Sequence, residues 1–251
     1  MKVHSRIGTK LMYGSLTLAV FITGFIHSYL PKSPETMWGF LYDNIEVFVA
    51  IIVLCAVIIA AGNIPGEFSK GTIKLLLIRP ISRSKVLLSK YIATILFSLN
   101  LLVITVILSL IVGGIFFGFD SPSQANLISM DGSPVENVVP HLISVVVSIF
   151  IDMLMMITIA FMISTIFHNS AMAIGLVIFL RFVGPNFVIA LQQYDWAKYI
   201  LFANLNLRQH IGGASYIEGL TMTFSIITLA VYYLIFIILT WWIFNKRDIT
   251  V

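Results

Sequence analysis

The chain has 251 residues, 59% hydrophobic and only 10% charged, with a mean hydropathy of +1.01. Soluble domains carry about 25% charged residues, so this composition excludes a soluble globular protein and points to a chain that buries apolar surface in lipid. The formal net charge of +4 reflects where Lys and Arg sit relative to a membrane and does not indicate a nucleic-acid partner.

The chain opens with Lys2, Arg6 and Lys10, followed by an apolar run. That run is about 20 residues long, beyond a typical signal-peptide core, and no A-x-A site follows it, so it reads as a retained first span. At 1.5 Å per residue, six segments are long enough to cross roughly 30 Å of hydrocarbon. They lie at about 11–30, 45–63, 91–119, 141–167, 171–191 and 217–244, and together make residues 1–251 a single transmembrane domain. Cys55, the one cysteine, sits in the second span and reads as a small apolar residue. The acidic loop 120–140 is rich in turn residues and reads as a solvated connection. The "HNS" loop at 168–170 is so short that spans four and five must form a tight hairpin. Gly184-Pro185-Asn186 is expected to break the fifth span. Tyr194, Trp196 and Tyr199 then suggest a short re-entrant or interfacial hairpin.

With the N-terminus inside, eleven of the fifteen Lys and Arg fall in cytoplasmic segments and three in outer ones, while Arg181 lies within a span. The positive-inside bias therefore puts both termini in the cytoplasm. The sequence class is an all-α integral membrane protein of six spans.

Residues 64–90 stand apart from the greasy chain around them. They carry Glu67, Lys70, Lys74, Arg79, Arg83, Lys85 and Lys90 about an apolar core at Ile73–Ile78. Phe68, Thr72, Leu75 and Leu76 share one face of a short amphipathic helix, with Lys70 and Lys74 on another. Pro80 stops that helix, and Ser82 is positioned to cap a second one that runs into the third span. An apolar helix face under a membrane must be covered, by lipid or by a groove on a cytosolic partner.

The ordered pattern "GEFSKGTIKLLLIRPISRSKVLLSK" resembles the cytoplasmic signature of ABC-2 type permeases, the membrane subunits of type V ABC exporters. The resemblance is carried by Glu67, Gly71-Thr72, the leucines from Leu75, the turn Pro80 to Arg83, and Lys90. It implies a cytoplasmic coupling helix, with Phe68, Leu76, Arg79 and Ser82 on the same segment, that presses into a separate ATPase. The chain contains no G-x-x-x-x-G-K-[ST] phosphate loop. ATP and Mg would thus be held by a partner dimer of nucleotide-binding subunits, and this chain would carry no cofactor and no enzymatic site. The family implies a second permease subunit, identical or paralogous, and placement in a bacterial plasma membrane. Nearly uncharged, aromatic spans suit an amphipathic or hydrophobic cargo, with peptide or drug export favoured.

Asp152 in span four and Arg181 in span five are the charges read as intramembrane. Alone, each would cost about 2.5–3.5 kcal/mol on insertion scales. Counted at 1.5 Å per residue from the hairpin ends, both fall near mid-depth, so they are expected to pair, as a structural bridge or as part of a gate. His27, Asn100 and His141 read as interhelical hydrogen-bonding groups, and Met153, Met155, Met156 and Met162 as packing. Two rival functions remain at this level: an ATPase-independent secondary transporter, and a membrane anchor that recruits a cytosolic protein.

Overall fold

The computed structural model describes residues 7–29, 36–63, 65, 82–125, 127–129, 132–211, 217 and 219–246. Six long helices dominate them: α1 (Ile7–Ser28), α2 (Met37–Gly62), α3 (Arg83–Phe117), α4 (Val138–Phe167), α5 (Ser170–Leu191) and α6 (Met222–Lys246). All six contain segments long and apolar enough to cross a membrane. Among the described residues no strand forms, and a lone bridge joins Ile128 to Pro134.

α2 and α4 form the centre of the bundle. α2 packs on α1, α3, α4 and α5, and α4 packs on α2, α5 and α6. Their inward faces hold Phe48, Ile52, Met153, Met156 and Phe161, all essentially buried. α1, α5 and α6 sit outside, with long apolar faces such as Phe179, Phe182, Ile235 and Ile238 left exposed. In water such faces would be untenable, whereas in lipid they are the expected surface. Several hydroxyls within the spans are satisfied by their own helix: Ser98, Thr105, Thr158 and Thr165 each donate to the carbonyl four residues back. The span-four methionines do pack: Met153, Met155 and Met156 are buried, and Met162 lies against the core.

α2 starts at Met37 rather than at 45. Thr36 caps it by accepting from the Gly39 N–H at 3.2 Å, and the Asn44 Nδ2 donates back to the Phe40 carbonyl at 3.0 Å, so a polar first turn is absorbed into the helix. α3 starts at Arg83, with Ser82 at its N-cap position, but the Ser82 side chain makes no capping bond. The Ser82 carbonyl instead accepts from Lys85 and Val86, and its exposed position leaves the remaining N–H groups to water. Asn100 is an interhelical group as expected, with its Oδ1 accepting from the Tyr13 hydroxyl at 2.7 Å. The His27 ring meets Phe40 edge-on, and the His141 ring lies against Tyr42.

The α4–α5 hairpin is tight. His168 adopts a left-handed conformation (φ 53°) that ends α4, and Asn169 Oδ1 accepts from the Met172 N–H at 3.1 Å to start α5. The expected break at Gly184-Pro185 does not occur, because α5 runs through it to Leu191. Proline removes only the bond to the Arg181 carbonyl, and nearby Asn186 Nδ2 donates to the Phe182 carbonyl at 2.7 Å. The chain turns only after Gln192, into a 3-10 turn at Asp195–Tyr199, a short helix at Leu201–Leu205 and a 3-10 turn at Leu207–His210. Leu201, Asn204, Leu205, Leu207 and Gln209 are buried, so this segment folds back against the bundle and does not trail along its surface. The loop after α3 is also less solvated than expected. Ala125 and Leu127 are buried, Val135 N–H donates to the Leu127 carbonyl, and Trp38 Nε1 donates to the Asp120 carbonyl at 3.1 Å.

Candidate functional site

Most of the charged island falls outside the described residues: Glu67, Phe68, Gly71, Thr72, Leu75, Leu76, Arg79 and Pro80, and with them the expected amphipathic helix. Arg83 is the first residue of α3. The two ends of the island are described, and they are tied together. Lys90 Nζ donates to the Asn63 carbonyl at 2.5 Å, Asn63 Nδ2 donates to Thr94 Oγ1 at 2.7 Å, and Thr94 Oγ1 donates to the Lys90 carbonyl at 3.0 Å. The ring of bonds places a cation on the C-terminal carbonyls of α2, where the helix dipole favours it. At the next residue, the Tyr91 hydroxyl meets Thr158 Oγ1 of α4 at 2.7 Å and Tyr233 OH of α6 at 3.3 Å. The start of α3 is thereby joined by polar contacts to three other helices.

The second candidate region is a cavity of about 370 Å³ between α2, α4, α5 and the turned-back segment. Asp152 and Arg181 meet on its wall. Arg181 Nη1 donates to Asp152 Oδ1 at 2.9 Å and lies 2.9 Å from Oδ2. The partners differ in access, since the Asp152 side chain is 11% exposed and that of Arg181 35%. Both residues line the cavity, with the carboxylate the more enclosed of the two.

The same cavity holds a second pair that the sequence does not reveal. Arg208 Nη1 donates to Glu46 Oε1 at 2.6 Å. Here the access is reversed, with the Arg208 side chain 11% exposed and Glu46 65%. Arg208 Nε is buried and meets no hydrogen-bond acceptor among the described residues. Glu46 is hidden because a second span read from 45 makes it an end residue, and Arg208 because a basic residue in an outer segment is ordinary. The one local signal is an acid and a base inside otherwise apolar runs. Their partnership, across 162 residues, has no sequence signature.

Apolar side chains complete the wall, among them Val49, Ile149, Phe182, Phe202, Leu205 and Leu207. Gly184 makes this packing possible: a Cβ there would clash with atoms of the Phe202 ring, so glycine lets α5 accept that ring where it stands. The Gly-Pro pair is therefore a seat for the returning segment and not the break expected of it. Outside the spans, burial pushes His210 below the ordinary imidazole range, and its Nε2 lies 3.0 Å from Ser225 Oγ at the start of α6. No group of three or more His, Cys, Asp or Glu suited to a metal ion occurs among the described residues.

Fold and site define a multi-pass helical membrane protein with a charged, partly apolar cavity inside its bundle. The chain belongs to the family described as "Protein of unknown function (DUF2705)", whose model matches residues 9–250. It is 46% identical over 229 residues to "Uncharacterized protein YhcI" of Bacillus subtilis (strain 168), covering 89% of this chain and 72% of that one. It is 32% identical over 199 residues to "Uncharacterized membrane protein YdbK" of the same organism, covering 78% of this chain and 76% of that one.

Proposed function

We propose that this chain is the permease subunit of an ABC exporter resembling the ABC-2 type, set in a bacterial plasma membrane with both termini in the cytoplasm. Residues 64–90 form its coupling segment, which docks on a separate dimeric ATPase. That partner binds ATP and Mg, and a second permease subunit completes the translocation unit. Closing of the ATPase dimer moves the coupling segment, and the spans reopen a path outward for an amphipathic or hydrophobic cargo, with peptides and drugs favoured.

The observation that carries this reading is the charged, motif-bearing sequence between α2 and α3, whose described ends are bound to each other through Lys90, Asn63 and Thr94. A loop that only joined two spans would need a few residues. A push on a segment anchored this way reaches α2 and α3 together, and through Tyr91 it reaches α4 and α6. The test is a mild-detergent pull-down from native cells, wild type beside a Glu67→Ala/Arg83→Ala double variant. A co-purified protein containing a phosphate-loop motif that the variant loses is the expected result. An intact wild-type preparation with no ATPase refutes the proposal.

A second reading, an ATPase-independent secondary transporter, gains support from one observation. Two acids, Asp152 and Glu46, border one intramembrane cavity where the sequence pointed to one. Transport in liposomes driven by an ion gradient without ATP would favour it.

A further inference from the structure

The two ion pairs of the cavity are built in opposite senses, and the difference assigns them different work. In the Asp152–Arg181 pair the acid is closed in and already lies within 2.9 Å of Arg181 Nη1 through both oxygens. Neither its charge nor its lone pairs are available to a newcomer. In the Glu46–Arg208 pair the acid is exposed and held by one bond through Nη1, while the guanidinium is buried and its Nε has no acceptor among the described residues. A guanidinium is a planar fork that takes a carboxylate or phosphate through two N–H groups at once. Glu46 fills one prong, and the Tyr42 hydroxyl also lies within reach of the guanidinium, while Nε stays open among the described residues.

We propose that Arg208 is the head-group receptor of the cavity, taking an amphipathic molecule whose anionic head, a carboxylate or phosphate, displaces Glu46. Glu46 is the gate that keeps the buried cation compensated between ligands. Its carboxylate is exposed and is free to leave when the incoming head takes over compensation of the buried guanidinium. Arg208 cannot follow it into solvent and gains the two-pronged contact it lacks. Arg181 also borders the cavity, but Asp152 neutralises it, so the receptor role falls to Arg208. Both acids are engaged and the unsatisfied group is a donor, so the chemistry favours an anion over an ammonium ion.

The walls name the rest of the ligand. Phe182, Phe202 and Leu205 offer apolar surface beside the guanidiniums. At about 30 Å³ per water-sized group, the cavity holds roughly a dozen non-hydrogen atoms. That suffices for a head group and the first carbons of a chain. Phe182 is 68% exposed and neighbouring Phe179 57%, so a longer apolar body can continue along the outer face of α5. This assignment names the cargo class of the proposed permease, and its transport role rests on that reading.

The experiment uses the full chain in phosphatidylcholine nanodiscs, with no ATPase or nucleotide present. The probes are a twelve-carbon carboxylic acid bearing a diazirine, its methyl ester and the equal-length trimethylammonium analogue, with cross-links mapped by mass spectrometry. The acid is expected to label the wall around Phe182, Phe202 and Leu205 at least tenfold more than either analogue. Arg208→Gln should abolish that selectivity. Glu46→Gln, which keeps a side-chain oxygen for Arg208 Nη1 but removes the competing charge, should raise acid labelling about two- to fivefold in protein whose monodisperse, folded state is checked first. Inorganic phosphate at millimolar concentration should not compete, since it lacks the apolar body. Equal labelling by the ester or the ammonium probe, labelling elsewhere, or reduced labelling in Glu46→Gln would overturn the proposal. Competition by phosphate would overturn its apolar half and leave a plain anion site. If Arg208→Gln does not fold, the Glu46→Gln result decides alone. Acid-selective labelling with no ATPase in the pull-down would keep the site and remove the permease reading, and the reverse pair of results would remove the site alone.

Discussion

Arg181→Gln should destabilise the protein more than Asp152→Asn, although each removes the same bond. Both side chains line the cavity, but replacing Arg181 strands a carboxylate that is 11% exposed, whereas replacing Asp152 strands a guanidinium that is 35% exposed. Stranding one member of a buried pair costs about 3–5 kcal/mol, and Arg181→Gln should fall toward the lower end of that range. The cavity gives the stranded Arg181 some access to polar surroundings, so Asp152→Asn should cost about 1–2 kcal/mol, below the usual insertion penalty of about 2.5–3.5 kcal/mol for a lone arginine. The Asp152→Asn/Arg181→Gln double variant carries no buried charge and can keep one amide hydrogen bond, so it should cost less than the two single effects combined. The coupling energy should be about 2–3 kcal/mol in the stabilising sense. The assay is reversible unfolding of the purified chain in mixed micelles or bicelles, for wild type and all three variants. A coupling energy below about 0.5 kcal/mol, or a larger loss in Asp152→Asn than in Arg181→Gln, would refute this account of the pair.

Gly184→Ala should destabilise the protein by about 1–3 kcal/mol, because its Cβ overlaps the Phe202 ring; adding Phe202→Ala in the same unfolding assay should recover part of the loss, and no recovery would mean the ring is not the obstacle. Lys90→Met removes a charged donor from the Asn63 carbonyl and should cost about 1.5–3 kcal/mol, with faster amide exchange in the last turn of α2 and the first turns of α3. His210 titrates below its unfolded value, so the unfolded chain binds more protons and stability rises with pH. Its contribution is full above about pH 6.5 and shrinks as the pH falls below that value; unfolding free energies at pH 5 and pH 8 should differ less in His210→Gln than in wild type.

The six spans were legible because an uncharged apolar run of about 20 residues matches the thickness of a bilayer. Their edges were less so. α2 begins at Met37 because Thr36 and Asn44 satisfy backbone groups locally, which turns a polar stretch that reads as loop into helix. Pro185 misled in the opposite direction. Its cost is one backbone bond, and its neighbour Gly184 has a packing role that appears only once Phe202 is placed beside it. Asp152 and Arg181 were findable as partners because they lie on adjacent helices of a short hairpin at matching depth. Glu46 and Arg208 were not, since depth is poorly defined near a span end and nothing local marks a segment that turns back into the bundle. The role of Lys90 was half legible: its place in the motif was visible, its grip on Asn63 was not.

The long reach of the Glu46–Arg208 pair sets a timetable for biogenesis. Glu46 emerges 162 residues before its arginine. At about 5–20 residues per second, the acid waits roughly 8–30 s, while Asp152 waits only a few seconds for Arg181 across 29 residues. During that interval α2 has to reside in the insertion machinery or the bilayer with its carboxylate uncompensated. The protein is therefore expected to be most vulnerable to quality-control proteolysis before the segment between α5 and α6 is made, and truncations ending between 192 and 207 should be cleared far faster than ones ending just beyond 210.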